Sequence, residues 1–221
     1  MADSQDHDDP VVIVGMSVRF PGDATSPDKF WQMLCEGRSA HGPVPSERFN
    51  VASYYHPVPG HTGSLYVKDA HFIRQDIAAF DPQFFSISPK EAVAMDPQQR
   101  MLLELVYEGL ENAGITIEQA NGSRTACYVG AFTREYETML ARDEDTVSPY
   151  QATGAGFSML ANRVSWFFNF KGPSVSLDTA CSSSLTGFHL GCQNLHTGEA
   201  EMVRLSHPLP RGVSVEVANR V

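Results

Sequence analysis

Apolar residues follow two rhythms along this chain. Short continuous runs at Val11–Val14, Ala126–Gly130 and Ser174–Leu177 read as buried strands. Between them the apolar positions fall at helical spacing. Ser26-Pro27-Asp28 offers an N-cap hydroxyl, a proline in the first turn and a carboxylate near the positive helix end. Phe30, Trp31 and Leu34 then form one apolar face, and Gly37 stops the helix. Ser88-Pro89-Lys90-Glu91 has the form of a capping box, and Asp96-Pro97 restarts or kinks the helix. Met101, Leu102, Leu105, Val106 and Leu110 recur until Asn112-Ala113-Gly114 ends the run. The spacing predicts a further helix over about Tyr150–Trp166, with Gly154 and Gly156 serving close packing. Another runs from near Ala180 to about His196. Residues from about Ser39 to Asp81, rich in Pro, Gly, His and Tyr, predict a long excursion with a hairpin near Gly60–Gly63. Strands alternating with helices imply an α/β layered fold with a mainly parallel or mixed sheet.

Charge and composition narrow the function. The 221 residues carry 42% hydrophobic side chains, enough for a sizeable core. A formal net charge of -10 argues against nucleic acid as a main partner, because phosphate binding needs a basic face. Neither "VVIVGM" nor "VSWFFNF" is long enough to span a membrane, and Arg163 and Lys171 flank the second. Residues 1–10 read as an acidic, solvated leader without the layout of a signal peptide, which predicts a cytoplasmic protein. The acidic run Asp143, Glu144 and Asp145 reads as a solvated loop. Four cysteines (Cys35, Cys127, Cys181, Cys192) show no framework spacing and are expected as free thiols.

The segment "DTACSSS" (Asp178–Ser184) carries the sharpest chemistry. A strand ending at Asp178 and a helix starting near Ala180 put Cys181 in the first helical turn, where unpaired N–H groups and the helix dipole favour a thiolate. Small neighbours leave room for a substrate. Most free cysteines are buried small hydrophobes, so the pattern leaves both roles open. On the same helix His189, Cys192 and His196 fall at i, i+3 and i+7, a partial zinc pattern or simply a packed face with polar tips. "ATGAGF" (Ala152–Phe157) lacks the strand that a dinucleotide fingerprint needs.

Four longer stretches, Val11–Gly22, Phe80–Gly114, Tyr150–Leu185 and Gly191–Met202, resemble a β-ketoacyl synthase. The nearest likeness is to the ketosynthase domain of iterative type I polyketide synthases of the highly reducing fungal kind. The resemblance covers about residues 11–202. It implies a thiolase-like layered α/β fold, here the N-terminal half of a duplicated architecture that is normally a homodimer. It makes Cys181 the nucleophile that accepts an acyl group from the phosphopantetheine thiol of an acyl carrier protein. Decarboxylative Claisen condensation with a malonyl thioester follows. Covalent catalysis of this kind splits a hard carbon–carbon bond formation into two easier steps. The backbone N–H of Cys181 is an expected oxyanion donor. No cofactor or metal is bound directly, and the partners implied are the carrier protein and the acyl and malonyl thioesters.

The chain departs from that pattern towards its end. The family's two histidine motifs, HGTGT-like and KxNxGH-like, do not occur. His189 and His196 ride on the nucleophile's own helix, about 12 and about 22 Å along its axis from Cys181. Residues 203–221, "VRLSHPLPRGVSVEVANRV", replace the expected buried strand and glycine-rich turn, and His207 stands in this tail without a family counterpart. The expectation is a truncated half-domain with an exposed apolar patch, inactive in condensation alone. The alternative is a non-catalytic fragment that binds a full-length synthase or a carrier protein.

Overall fold

The computed structural model describes residues 10–142, 145, 147–207 and 212–218. Residues 1–9 of the acidic leader, and Asp143 and Glu144 of the acidic run, lie outside the described residues. The chain divides into two compact units, Val18–Gln75 and the remainder.

The larger unit is built on a five-stranded sheet. Its strands are β1 (Val12–Arg19, which runs on into the smaller unit), β4 (Thr125–Gly130), β5 (Ser174–Leu177), β6 (Met202–His207) and β7 (Gly212–Ala218), in the order β1-β7-β6-β4-β5. Strand β4 lies parallel to both β5 and β6, whereas β6 and β7 are antiparallel. All six residues of β4 are buried, so the strand has a core on each face. Period-two alternation sends Cys127 and Val129 into one cluster and Ala126 and Tyr128 into the other. The first cluster holds Leu102, Leu103 and Val106 of α3 (Pro97–Asn112) and Leu160, Ala161 and Val164 of α7 (Met159–Phe167). The second holds Leu195 of α8 (Ser183–His196) with Val203 and Leu205 of β6. A central sheet with helices on both faces is the layered α/β architecture the alternation predicts.

Local chemistry sets the helix starts. Ser88 Oγ accepts from Glu91 N at the head of α2 (Pro89–Ala94), which is half of the predicted capping box. The Glu91 carboxylate instead receives Arg163 Nη1 of α7 at 2.6 Å in a largely buried ion pair. Asp96 caps α3 by accepting from Gln98 N at 2.8 Å, and its burial raises its pKa. The helix predicted over Tyr150–Trp166 is two helices, α6 (Gln151–Ala155) and α7, because Gly156 takes an extended ψ of 133°. Gly154 does pack closely, since a Cβ there would meet Ala94 O at 2.3 Å. A six-residue helix, α5 (Glu135–Leu140), and a single turn, α4 (Ile117–Ala120), complete this unit's described helices.

The segment after Met202 does not break the sheet. It supplies β6 and β7, paired from Met202↔Ala218 to His207↔Val213. Val203, Leu205 and Val217 face α8, while Arg204, Ser206, Ser214 and Glu216 line a buried polar ladder on the other side. The Arg204 guanidinium meets the Glu216 carboxylate and donates to Val106 O (2.7 Å) and Ser214 Oγ (2.9 Å). Gly109 of α3 lies against this pair with no room for a Cβ.

The smaller unit holds α1 (Pro27–Cys35), capped by Ser26, and a two-stranded antiparallel ribbon of β2 (His41–Pro43) and β3 (Asp69–His71). Val18, Ala24, Met33 and Ile73 form its buried apolar residues. The predicted hairpin is a looser turn: Gly60 and Gly63 take positive φ, and His56 N donates to Leu65 O at 2.8 Å. The paired strands of this region are β2 and β3, which lie far apart in sequence.

Candidate functional site

Strand β5 leaves the sheet at Leu177, and α8 begins at Ser183, so five residues make the connection. Cys181 sits in this connection, before the Ser182 N-cap rather than inside the first helical turn. The reason is Ala180, whose φ of 54° breaks any continuous helix through the segment. The left-handed region costs a non-glycine residue about 1–2 kcal/mol. Short hydrogen bonds hold the strained turn. Ala180 N donates to Asp178 Oδ1 (3.0 Å), Ser182 Oγ donates to Thr179 O (2.8 Å), and Thr179 N donates to Ser183 Oγ (2.8 Å). The Ser183 hydroxyl in turn donates to Ala180 O at 2.7 Å. Ser183 is fully buried, whereas Asp178 through Ser182 are exposed. One buried hydroxyl thus ties the exposed loop to the start of α8. Small side chains in the serine run predict space for a substrate, and the spacing of hydroxyls gives no sign of this tie.

A second contact fixes the elbow from below. A Cβ on Gly130, at the end of β4, would stand 2.7 Å from Ser183 Cβ and 3.0 Å from Ser184 N. Glycine there lets the start of α8 come down onto the sheet, and sequence reasoning assigned Gly130 only to a strand. The turn's bonds use the N–H groups of Thr179, Ala180, Ser182 and Ser183, and none uses that of Cys181.

The four cysteines fall into different environments. Cys181 and Cys35 are exposed, while Cys127 is fully buried in β4, and burial pushes its thiol up to about 12. Cys192 is half-buried on α8, with its pKa raised by burial. His189 and His196 are exposed on the same helix. Among the described residues no group of three or more His, Cys, Asp and Glu is placed to share a metal ion, so the i, i+3, i+7 pattern on α8 does not assemble a zinc site.

A cavity of about 260 Å³ opens between α8 and the sheet, lined by Ile13, Leu185, Phe188, Leu205, Ser184 and His207 among others. Leu185 of α8 is 71% exposed and Ile13 of β1 54%, so the lining of this cavity presents apolar surface although the inner face of α8 is buried. His207 ends β6 at this cavity. No described helix is long and apolar enough to cross a membrane.

An exposed cysteine lifted between a parallel strand and a helix by a strained turn is a recurring frame for an acyl-accepting nucleophile. Residues 8–203 match the family described as β-ketoacyl synthase, N-terminal domain. The chain belongs to the β-ketoacyl synthase family. It is similar to a highly reducing polyketide synthase of Aspergillus calidoustus, 51% identical over 198 residues, which is 90% of this chain and 8% of that protein. It is also similar to one of Didymella fabae, 55% identical over 192 residues, 87% of this chain and 10% of that protein. Among solved structures, an oxazolomycin ketosynthase domain of Streptomyces albus superposes with a TM-score of 0.85 at 31% identity, covering 95% of this chain and 42% of the other. A ketosynthase from module 6 of the bacillaene synthase of Bacillus subtilis gives 0.81 at 30% identity, covering 94% and 40%. The chain therefore has the layered fold of ketosynthase domains. It spans about a tenth or less of the length of these fungal synthases, and about two fifths of the ketosynthase chains.

Proposed function

We propose that this ketosynthase N-terminal domain takes an acyl group onto Cys181 from the phosphopantetheine thioester of an acyl carrier protein. The Cys181 thiolate attacks the thioester carbonyl and a tetrahedral oxyanion forms. Collapse releases the carrier thiolate, which takes up the proton that Cys181 gave up. The new bond is the Sγ–acyl thioester, and the bond lost is the carrier's. The supporting observation is the elbow: Ala180 at φ 54° sets Cys181 out in solvent while Ser183 and Gly130 keep its backbone fixed. A fixed backbone matters because an oxyanion donor works by preorganisation, and the Cys181 N–H is not used by the turn.

The second half-reaction, attack of a malonyl-derived enolate on the acyl thioester, needs groups that promote decarboxylation. The histidine motifs that do so in the family are absent from this chain. His189 and His196 are exposed on α8, the helix that follows Cys181, and do not replace them. The chain alone accordingly loads acyl groups and does not condense them, and it works in the cytoplasm as part of a homodimeric multidomain synthase. The test is incubation with an acyl-loaded carrier protein and a malonyl-loaded one. Intact mass should show one acyl adduct on the unaltered chain and none on Cys181→Ala, with no β-ketoacyl product. An adduct that survives Cys181→Ala sinks the assignment. Carrier binding without any adduct favours a purely binding role instead.

A further inference from the structure

The excursion from about Ser39 to Asp81, which contains β2 and β3, holds four histidines, His41, His56, His61 and His71, out of eight in the whole chain. They stand as two contacting ring pairs. His41 and His71 are directly opposite on the two-stranded ribbon, with centroids 5.3 Å apart and planes at 69°. His56 and His61 are stacked at 4.0 Å with planes at 19°. Both members of the ribbon pair are exposed.

Register decides what the first pair can do. Val44 N donates to Lys68 O at 3.0 Å, just beyond the Pro43↔Asp69 match. Antiparallel alternation then makes Gly42–Ala70 a hydrogen-bonded pair and His41–His71 a non-hydrogen-bonded pair, the position where facing side chains come closest. Imidazoles sharing a tetrahedral zinc ion at about 2.0–2.1 Å per Zn–N bond hold their centroids about 5.2 Å apart. The ribbon pair already has that separation, and each exposed ring turns freely about its terminal torsion. The stacked pair does not qualify, because the in-plane lone pairs of nearly parallel rings run side by side and do not converge.

From this geometry we infer that His41 and His71 form a two-imidazole site for a borderline divalent transition-metal ion, Zn²⁺ or Ni²⁺, with solvent completing the coordination. Imidazole nitrogen suits these ions over Mg²⁺ or Ca²⁺. The ion bridges the two strands at the open end of the ribbon, where the excursion leaves and returns. Because a cross-strand bridge exists only when the ribbon is formed, binding stabilises the ribbon by mass action.

The experiment titrates NiCl₂ and ZnCl₂ into the full chain near pH 7.5, with the exposed thiols first blocked by iodoacetamide. Calorimetry gives the stoichiometry, and imidazole proton resonances locate the ligands. The expected result is one saturable site that perturbs His41 and His71 and slows amide exchange across β2 and β3. Affinity should fall at least tenfold in His41→Gln and in His71→Gln and stay unchanged in His56→Gln. Both ribbon substitutions are at exposed positions, and an unaltered amide spectrum of the metal-free variant certifies its fold. No saturable binding, an unchanged titration in either ribbon variant, or an equal loss in His56→Gln would each overturn the inference.

Discussion

Cys127 and Cys181 are reached along two neighbouring parallel strands and could hardly be treated more differently. Cys127 is in the middle of β4, fully buried, its thiol pushed up to about 12. Cys181 follows the neighbouring strand β5 and stands exposed on a strained turn. The side chains are identical, so the contrast is a property of backbone placement. A strand buried on both faces makes a thiol a small hydrophobe. A connection pinned by one buried hydroxyl and one glycine holds the other thiol out in solvent, as the proposed acyl transfer requires.

The interior side of this contrast should break hardest at Arg204. Replacing it by Met leaves the Glu216 carboxylate fully buried without its partner, which costs about 3–5 kcal/mol in urea unfolding. The double change Arg204→Met, Glu216→Leu should recover most of that loss. A double variant as unstable as the single one would show that the pair's contribution is not charge compensation. At the seam between the two cysteines, Gly130→Val should cost roughly 3 kcal/mol through overpacking against Ser183. It should also abolish acyl transfer to Cys181, even where the folded fraction is high.

Proton linkage separates the two thiols next. Burial raises the Cys127 pKa from its ordinary 9.0 to about 12, so the folded state keeps its proton where the unfolded chain loses it. Stability from this group is intact below pH 9 and is lost as pH rises from there towards 12, at no more than about 1.4 kcal/mol per pH unit. Urea midpoints measured at several pH values should show this decline, and Cys127→Val should flatten it. The smallest effect is expected at Ala180. Glycine relieves the left-handed strain, so Ala180→Gly should change stability by less than about 1 kcal/mol. It should nonetheless slow acylation several-fold, because the turn loses stiffness.

Much of this was legible in the residues, and the failures have physical causes. Strands β4 and β5 and helix α3 announced themselves because apolar runs, caps and prolines all agreed. The Tyr150–Trp166 helix was drawn too long because its apolar spacing survives a break that only the ψ of Gly156 reveals. Residues after Met202 were read as a departure from the family pattern. Their alternation, Val203-Arg204-Leu205-Ser206 against Ser214-Val215-Glu216-Val217, is a strand-pair signal hidden by charges that turn out to be buried together. Cys181 stands out in its motif, but the turn that presents it does not. Nothing in "DTACSSS" says that Ala180 is left-handed or that the middle serine alone is buried.

Cys35, also exposed but on α1, offers the most direct test of the proposal that the elbow and not exposure alone makes Cys181 an acyl acceptor. The native chain is mixed with a short acyl thioester of N-acetylcysteamine, and the adducts at each cysteine are followed by peptide mass mapping. Rapid, near-stoichiometric acylation of Cys181 is expected, with Cys35 at least tenfold slower and Cys127 untouched. Equal rates at Cys35 and Cys181, or no preference for Cys181 in the folded chain, would contradict that proposal.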